Sequence, residues 1–398
     1  MKSAIPRSYA ALAALLLAAA CGGGNQPTSQ GHALTQGTIT GFGSIIVNGI
    51  RFDDSSAQVV DDDGQQHSSN DLKLGMNVEV ESGDIDRGTS SAKASRVRFG
   101  AAIVGPVSAI SAGTTPKTLT VLDQIVEVGA KTVFDDLPNG FDSIKVGDVL
   151  EVHALLDTAS GHYLAKRIEP EPGATVFKLR GVVANLDTTA KTFMIGGALI
   201  DFSGVTNPPS TLANGQNVRV RLQTAKNSAG AWVAIAIQAE EREMEDQDEA
   251  EVRGTITDFT STTSFSVNGL PVDASKAKFP DGTAGIQKGA QVEVEGAIVN
   301  GVLVATKVEL EDENENEDLN PNELHGAISA LDTQAKTFVV RGVTVHYTSG
   351  TTVFKDGVEA DLANGKQVEV KGSLSSDGTR VEAASIEFES ESQPMGMM

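Results

Sequence analysis

The sequence predicts an all-β chain, five tandem copies of a small antiparallel OB-like β-barrel set behind a signal peptide. Three observations predict it. First, a glycine opens a unit at Gly37, Gly105, Gly181, Gly254 and Gly326, and a repeat of roughly 70 residues is one structural unit that recurs along a chain. Second, each unit carries two further markers in the same order. G-x-x-[VL]-x-V starts at Gly75, Gly147, Gly215, Gly289 and Gly365, and the units close on Ala94/Val97, Ala165/Ile168, Ala234/Ile237, Ala305/Val308 and Ala383/Ile386. Third, apolar and polar residues alternate between frequent turn residues, whereas no twelve-residue window beyond the leader carries a 3.6-residue stripe.

The elements follow in order. Lys2 and Arg7 precede an apolar run from Ala10 to Ala20, shorter than the roughly 20 residues a membrane-spanning helix needs, so residues 1–20 read as a signal peptide. Leu17, Ala18, Ala19 and Ala20 before Cys21 resemble the lipobox of bacterial lipoproteins, with Ala18 where that family usually has leucine. The resemblance implies cleavage before Cys21 and lipidation of Cys21 with acyl chains of the palmitate kind. With Gly22 rather than aspartate next, it also implies delivery to the outer membrane. Cys21 is the only cysteine, and a capped thiol suits an oxidising compartment. The small polar residues of 21–35 read as a lipidated tether.

The barrel repeats span 36–100, 101–172, 177–239, 252–308 and 324–390, with acidic linkers at 240–251 and 309–323 and a disordered tail at 391–398. Asn48-Gly49 and Asn268-Gly269 sit between alternating flanks, the signature of a two-residue hairpin turn with positive φ at both positions. Gly196-Gly197 serves the third copy, and Leu122, Asp123 and Gln124 stand there in the second. Phe193, Phe265 and Phe338 precede the hairpin at a fixed position and read as core. Five or six short strands in so small a unit cannot leave both sheet edges open without inviting aggregation. Closure into a barrel removes those edges.

The order G-x-I, T-F-x-V-x-G, T-x-F, L-x-x-G-x-x-V-x-V-x-G, A-x-x-I-E resembles a bacterial repeat family known as domain of unknown function 5666, over residues 36 to about 390. The resemblance implies architecture and lipoprotein company, and it transfers no active site.

Composition narrows the function. Net charge is −22 with 5% aromatic residues, which excludes nucleic acid as a partner, since single-strand binding needs a basic groove and stacking aromatics. The runs 240–251 and 309–318 hold eight and seven acids against one arginine, so they carry 7 + 7 = 14 of the 22 negative charges. Such runs self-repel, which predicts an articulated carboxy-terminal half. The acids around Asp61, Asp62, Asp63 and Gly64 fail the calcium-loop pattern at Val59 and Asn70 and read as solvated, as do His153 and His162. No serine elbow, nucleophilic cysteine or phosphate-cradling loop appears, so no catalytic residue, metal ligand or cofactor is assigned. The expectation is a non-enzymatic cell-envelope lipoprotein, held to the membrane by its lipid, that serves as a spacer or presents a binding surface to an unknown envelope protein or surface ligand. The alternative is low-affinity binding of divalent cations or a cationic partner through the acidic linkers.

Overall fold

The computed structural model describes residues 33–42, 44–239, 246–311 and 322–389. Residues 1–20, Cys21, most of the tether, the middle of both acidic runs and the tail lie outside the described residues. The first circuit contains β1 (Ala33–Gly41), β2 (Ile45–Val47), β3 (Ile50–Asp53), β4 (Gln58–Asp61), β5 (Gln66–His67), β6 (Asn77–Ser82) and β7 (Ser91–Phe99). Pairing runs β1-β2-β3-β7-β6 and back to β1, which closes a five-strand barrel, while β4 and β5 form a hairpin outside it.

The same circuit closes β8 (Ile103–Ser111), β9 (Lys117–Val121), β10 (Gln124–Phe134), β11 (Val149–Asp157) and β12 (His162–Pro170). It closes again through β13 (Phe177–Asp187), β14 (Thr192–Ile195), β15 (Ala198–Asp201), β16 (Asn217–Lys226) and β17 (Trp232–Ala239). Next come β18 (Gln247–Ser261), β19 (Ser264–Val267), β20 (Leu270–Asp273), β21 (Gln291–Val299) and β22 (Val302–Leu310). The last circuit has β23 (Asn322–Asp332), β24 (Thr337–Val340), β25 (Val343–His346), β26 (Val353–Lys355), β27 (Gln367–Leu374) and β28 (Val381–Phe388), with β26 paired outside on β28. In every circuit one seam is parallel, for example β3 with β7 and β25 with β28. This corrects the wholly antiparallel expectation: five strands cannot alternate direction all the way round a closed ring.

The sequence markers now acquire causes. At the opening glycine of the first, second and fourth copies a Cβ would overlap the first hairpin residue folded back on it: Asn48 over Gly37, Leu122 over Gly105, Asn268 over Gly254. Asn48 and Asn268 fix that place by donating from Nδ2 to the carbonyls of Gln36 and Arg253, at 3.0 and 3.2 Å. The second-marker glycines all have φ between +83° and +96°. Each donates its N–H back to the first strand, as Gly75 does to Ile39 and Gly365 to Ile328, while the strand residue donates to the residue after the glycine. The closing alanines sit just past a register shift, Ala94 opposite Ser82 and Ala305 opposite Gly296, and the apolar residue three positions on is buried each time. Phe193, Phe265 and Phe338 are core residues, 0 to 4% exposed.

Asn268 and Gly269 have φ of +50° and +84°, the conformation the Asn-Gly pair predicts. Gly269→Val is therefore expected to destabilise the fourth barrel by about 1 kcal/mol or more, because a β-branched residue fits positive φ poorly. Thermal melts of the two proteins check it, and an unchanged midpoint would contradict the turn assignment.

The barrels pack against one another across long stretches of sequence. β1 runs parallel to β18, Ala33–Gln36 beside Glu249–Val252, and Leu34 sits in the core of the fourth barrel. β8 pairs with β13, and the second and third barrels share one hydrophobic core. The first and fifth share another, joined where Phe42 N–H donates to Glu323 O at 2.6 Å and His325 N–H to Phe42 O at 2.5 Å. The described residues fall within one compact unit, Gly31–Met398. This overturns the expectation of an articulated carboxy-terminal half. The run read as linker 240–251 becomes strand from Gln247, and β22 and β23 take in residues 309–310 and 322–323 of the second linker, as β1 takes in 33–35 of the tether. Strand pairing, within each barrel and for β18 also with β1, outweighs the repulsion that the composition suggested.

Candidate functional site

Where the barrels meet lies a half-open cavity of about 2260 Å³, larger than the 300–1,000 Å³ of a typical small-molecule pocket. Its wall includes recurring turn positions: opening glycines Gly37 and Gly181, second-marker glycines Gly75 and Gly215, and the hairpins Asn48-Gly49 and Asn268-Gly269. These are the positions fixed by backbone geometry, so the folding of each barrel and the shaping of the cavity use the same residues. Polar side chains complete the surface, among them Arg51, Lys131, Asn217 and Glu293. Gln216 is buried there; one end of its amide donates to Thr211 Oγ1 at 3.0 Å and Oε1 has no hydrogen-bond partner.

Charged groups cluster at the joints between barrels. Arg167 is 3% exposed and donates to Leu74 O of the first barrel at 3.2 Å while pairing with Glu169 at 2.9 Å and with Asp135. Burial disfavours its charge, but Glu169 and Asp135 outweigh that and raise its pKa. Between the first and fifth barrels, Arg51 pairs with Glu323, and His325 donates to Glu323 (2.6 Å) and Glu389 (2.6 Å). The bond from His325, opposed by burial and joined by Arg51, holds the Glu323 carboxyl down at about 2. Burial alone would lower the His325 pKa; its bonds with Glu323 and Glu389 raise it instead.

Among the described residues, three groups bring potential metal ligands within 4.8 Å of one another: Glu151/His153/Glu169, Glu323/His325/Glu369 and Glu293/Glu295/Glu309. Each holds protein cations of its own. Arg167 lies on Glu169, Arg51 and Lys371 on the second group, and Arg253 and Lys307 on the third. A divalent ion would have to displace them, so these groups act as ion-pair joints.

Two sequence readings need correction. His153 is fully buried, not solvated; it lies opposite Arg167 because the strand shifts register after it, and its Nε2 meets Glu151 Oε1 at 3.0 Å. His162 is partly exposed and meets Glu127 at 2.5 Å. Asp62 and Asp63, read as solvated, have side chains only 8 and 12% exposed and face the third barrel. No local pattern reveals a partner 115 residues or more away, although the unusual Arg219 inside the third G-x-x-V-x-V marker was a visible signal. Cys21 lies outside the described residues.

No curated protein matches the chain. A solved structure described as drosophila Unr CSD456 is similar at 14% identity, covering 55% of this chain and 98% of that one with a TM-score of 0.15, too low to carry an argument. The family model described as "Domain of unknown function (DUF5666)" matches three separate regions, 104–169, 253–309 and 325–387. These are the second, fourth and fifth circuits almost strand for strand, so three of the tandem β-barrel repeats are similar to DUF5666.

Proposed function

We propose that the chain is a non-enzymatic envelope lipoprotein in which five copies of one barrel unit, two of them divergent, meet around a half-open cavity of mixed polar and apolar lining that binds or presents a ligand. The cavity carries this reading: its wall mixes apolar surface, turn positions and charged side chains of both signs contributed by several barrels, a lining suited to holding a ligand. The compact packing favours the presenting role over a spacer. In this reading a signal peptide covers residues 1–20, and lipid on Cys21 anchors the body to the outer membrane.

Two experiments test it. Cys21→Ser is expected to move the protein from the membrane fraction to the soluble fraction, because the acyl chains supply its membrane affinity; retention in the membrane at high salt would contradict the anchor. For the cavity, crosslinking in cells followed by copurification should recover neighbours of the wild type that Asn217→Trp loses. Recovery of the same neighbours by both would remove the cavity from the reading.

A further inference from the structure

Two residues past its glycine, the second marker carries an amide in four barrels: Asn77, Asn217, Gln291 and Gln367. Each is the first residue of its strand, β6, β16, β21 and β27, so the repeat sets all four in the same place. Asn77, Asn217 and Gln291 border the cavity.

Asn77 shows what this position can do. Its Oδ1 accepts from Thr38 Oγ1 at 2.8 Å, which fixes the amide, and its Nδ2 donates to Ala154 O of the second barrel at 3.0 Å. Ala154 lies on β11 beyond Val152, the last residue of that strand paired with β8. Asn77 thus takes a carbonyl on an edge that β8 has left. A side-chain amide offers donors and an acceptor, the complement of a peptide group's C=O and N–H. In the first barrel it holds the main chain of an extended strand.

Asn217 and Gln291 hold no such strand. Asn217 is half-buried, its Nδ2 3.1 Å from the place a Cβ would take on Gly269, so it stands where the third and fourth barrels meet. Gln291 opens β21 opposite Thr255. No hydrogen bond among the described residues engages either side-chain amide. The space beside them is larger than a small molecule fills, which suits a polymer. Among the described residues that border it, only Phe99 and Tyr163 are aromatic. Tyr163 is 2% exposed and the Phe99 ring meets His67 edge-on at 5.0 Å, so the lining gives a sugar little to stack on and favours a polypeptide.

We propose, resting on the cavity's role as the ligand site, that Asn217 and Gln291 bind the main chain of an extended polypeptide segment, as Asn77 does within the molecule. Recognition through peptide groups takes its affinity from the main chain and tolerates many side chains.

A fluorescent peptide copying Leu150–Ser160 is the probe, since the protein already holds the Ala154 carbonyl of that segment. Fluorescence anisotropy with the full chain should show saturable binding. Asn217→Leu with Gln291→Met keeps size and removes both amides; it should weaken binding at least tenfold, the loss of two hydrogen bonds. A wild type that does not bind the peptide overturns the proposal, as does a folded double variant that binds it equally well. Should the double variant fail to fold, the wild type decides. A copy of the peptide N-methylated at every second residue keeps its side chains and loses main-chain donors, so it should compete at least tenfold more weakly than its parent. Equal competition overturns the proposal, and so does displacement of the probe by chitohexaose, which would make the ligand an oligosaccharide. If the peptide does not bind while Asn217→Trp still loses its neighbours, the polypeptide falls and the cavity's ligand role stands.

Discussion

Raising the pH from about 5 to about 8 is expected to weaken the seam between the first and fourth barrels by about 2.5 kcal/mol. Glu251 carries the effect. Its side chain is 4% exposed, in register with Thr35 of β1 and Glu295 of β21, with Arg87 of the first barrel at 3.4 Å and Glu249 on the same edge. Burial first, then the nearby Glu293, push its pKa from 4.5 up to about 7, with Arg87 opposing and Glu295 adding to the rise. The folded state therefore keeps a proton that the unfolded chain releases between about pH 4.5 and 7. Stability is highest at the acid end of that window and falls as pH climbs through it.

Glu251→Gln, neutral throughout, should flatten this slope and be more stable than the wild type at pH 8. Denaturant melts at several pH values check both statements, and parallel slopes for the two proteins would contradict them. His325 acts in the same direction: its raised pKa contributes stability present below 6.5 and lost as pH rises through the folded value. The Glu251→Gln comparison separates the two. Glu323, held near 2, acts elsewhere; its contribution is present above 4.5 and is lost as pH falls through about 2.

The second large effect concerns the opening glycines. Gly105→Ala should destabilise the second barrel by about 3 kcal/mol, because the new Cβ would overlap Leu122. That residue is 1% exposed and held at φ +47° at the hairpin, so it cannot swing aside, and overpacking of a filled core costs about 1–3 kcal/mol before the turn is disturbed. Leu122→Ala alone should cost about 2–5 kcal/mol by leaving a cavity. Together the two should cost clearly less than their sum, since each removes the other's problem. Additive losses in a double-mutant cycle would show that the glycine is needed for some other reason.

What could be read from the sequence was what the backbone enforces locally. The opening glycine, the Asn-Gly turn and the marker glycine at positive φ each act within one barrel, so their spacing alone announced the strands between them, and Phe193, Phe265 and Phe338 fell into the core as their fixed position required. The neighbours of each barrel were not legible. Gln247 to Glu251 reads as part of a charged run, yet it is a strand held between β21 of its own barrel and β1, more than 200 residues earlier. Asp62 and Asp63 look solvated until Arg180 and Arg219 come round to meet them. His153 differs from an exposed strand residue only by a register shift that follows it. The cavity was invisible for the same reason, since no barrel forms more than part of its wall.

Small-angle scattering of the chain from Gly22 onward tests the packing of the barrels most directly. Barrels closed into one body predict a radius of gyration of about 21 Å, unchanged between low and high salt because the joints are strand pairs and shared cores rather than screened surface charge. An elongated particle approaching about 140 Å in length, as five separate barrels in line would give, and contracting as salt is added, would contradict it.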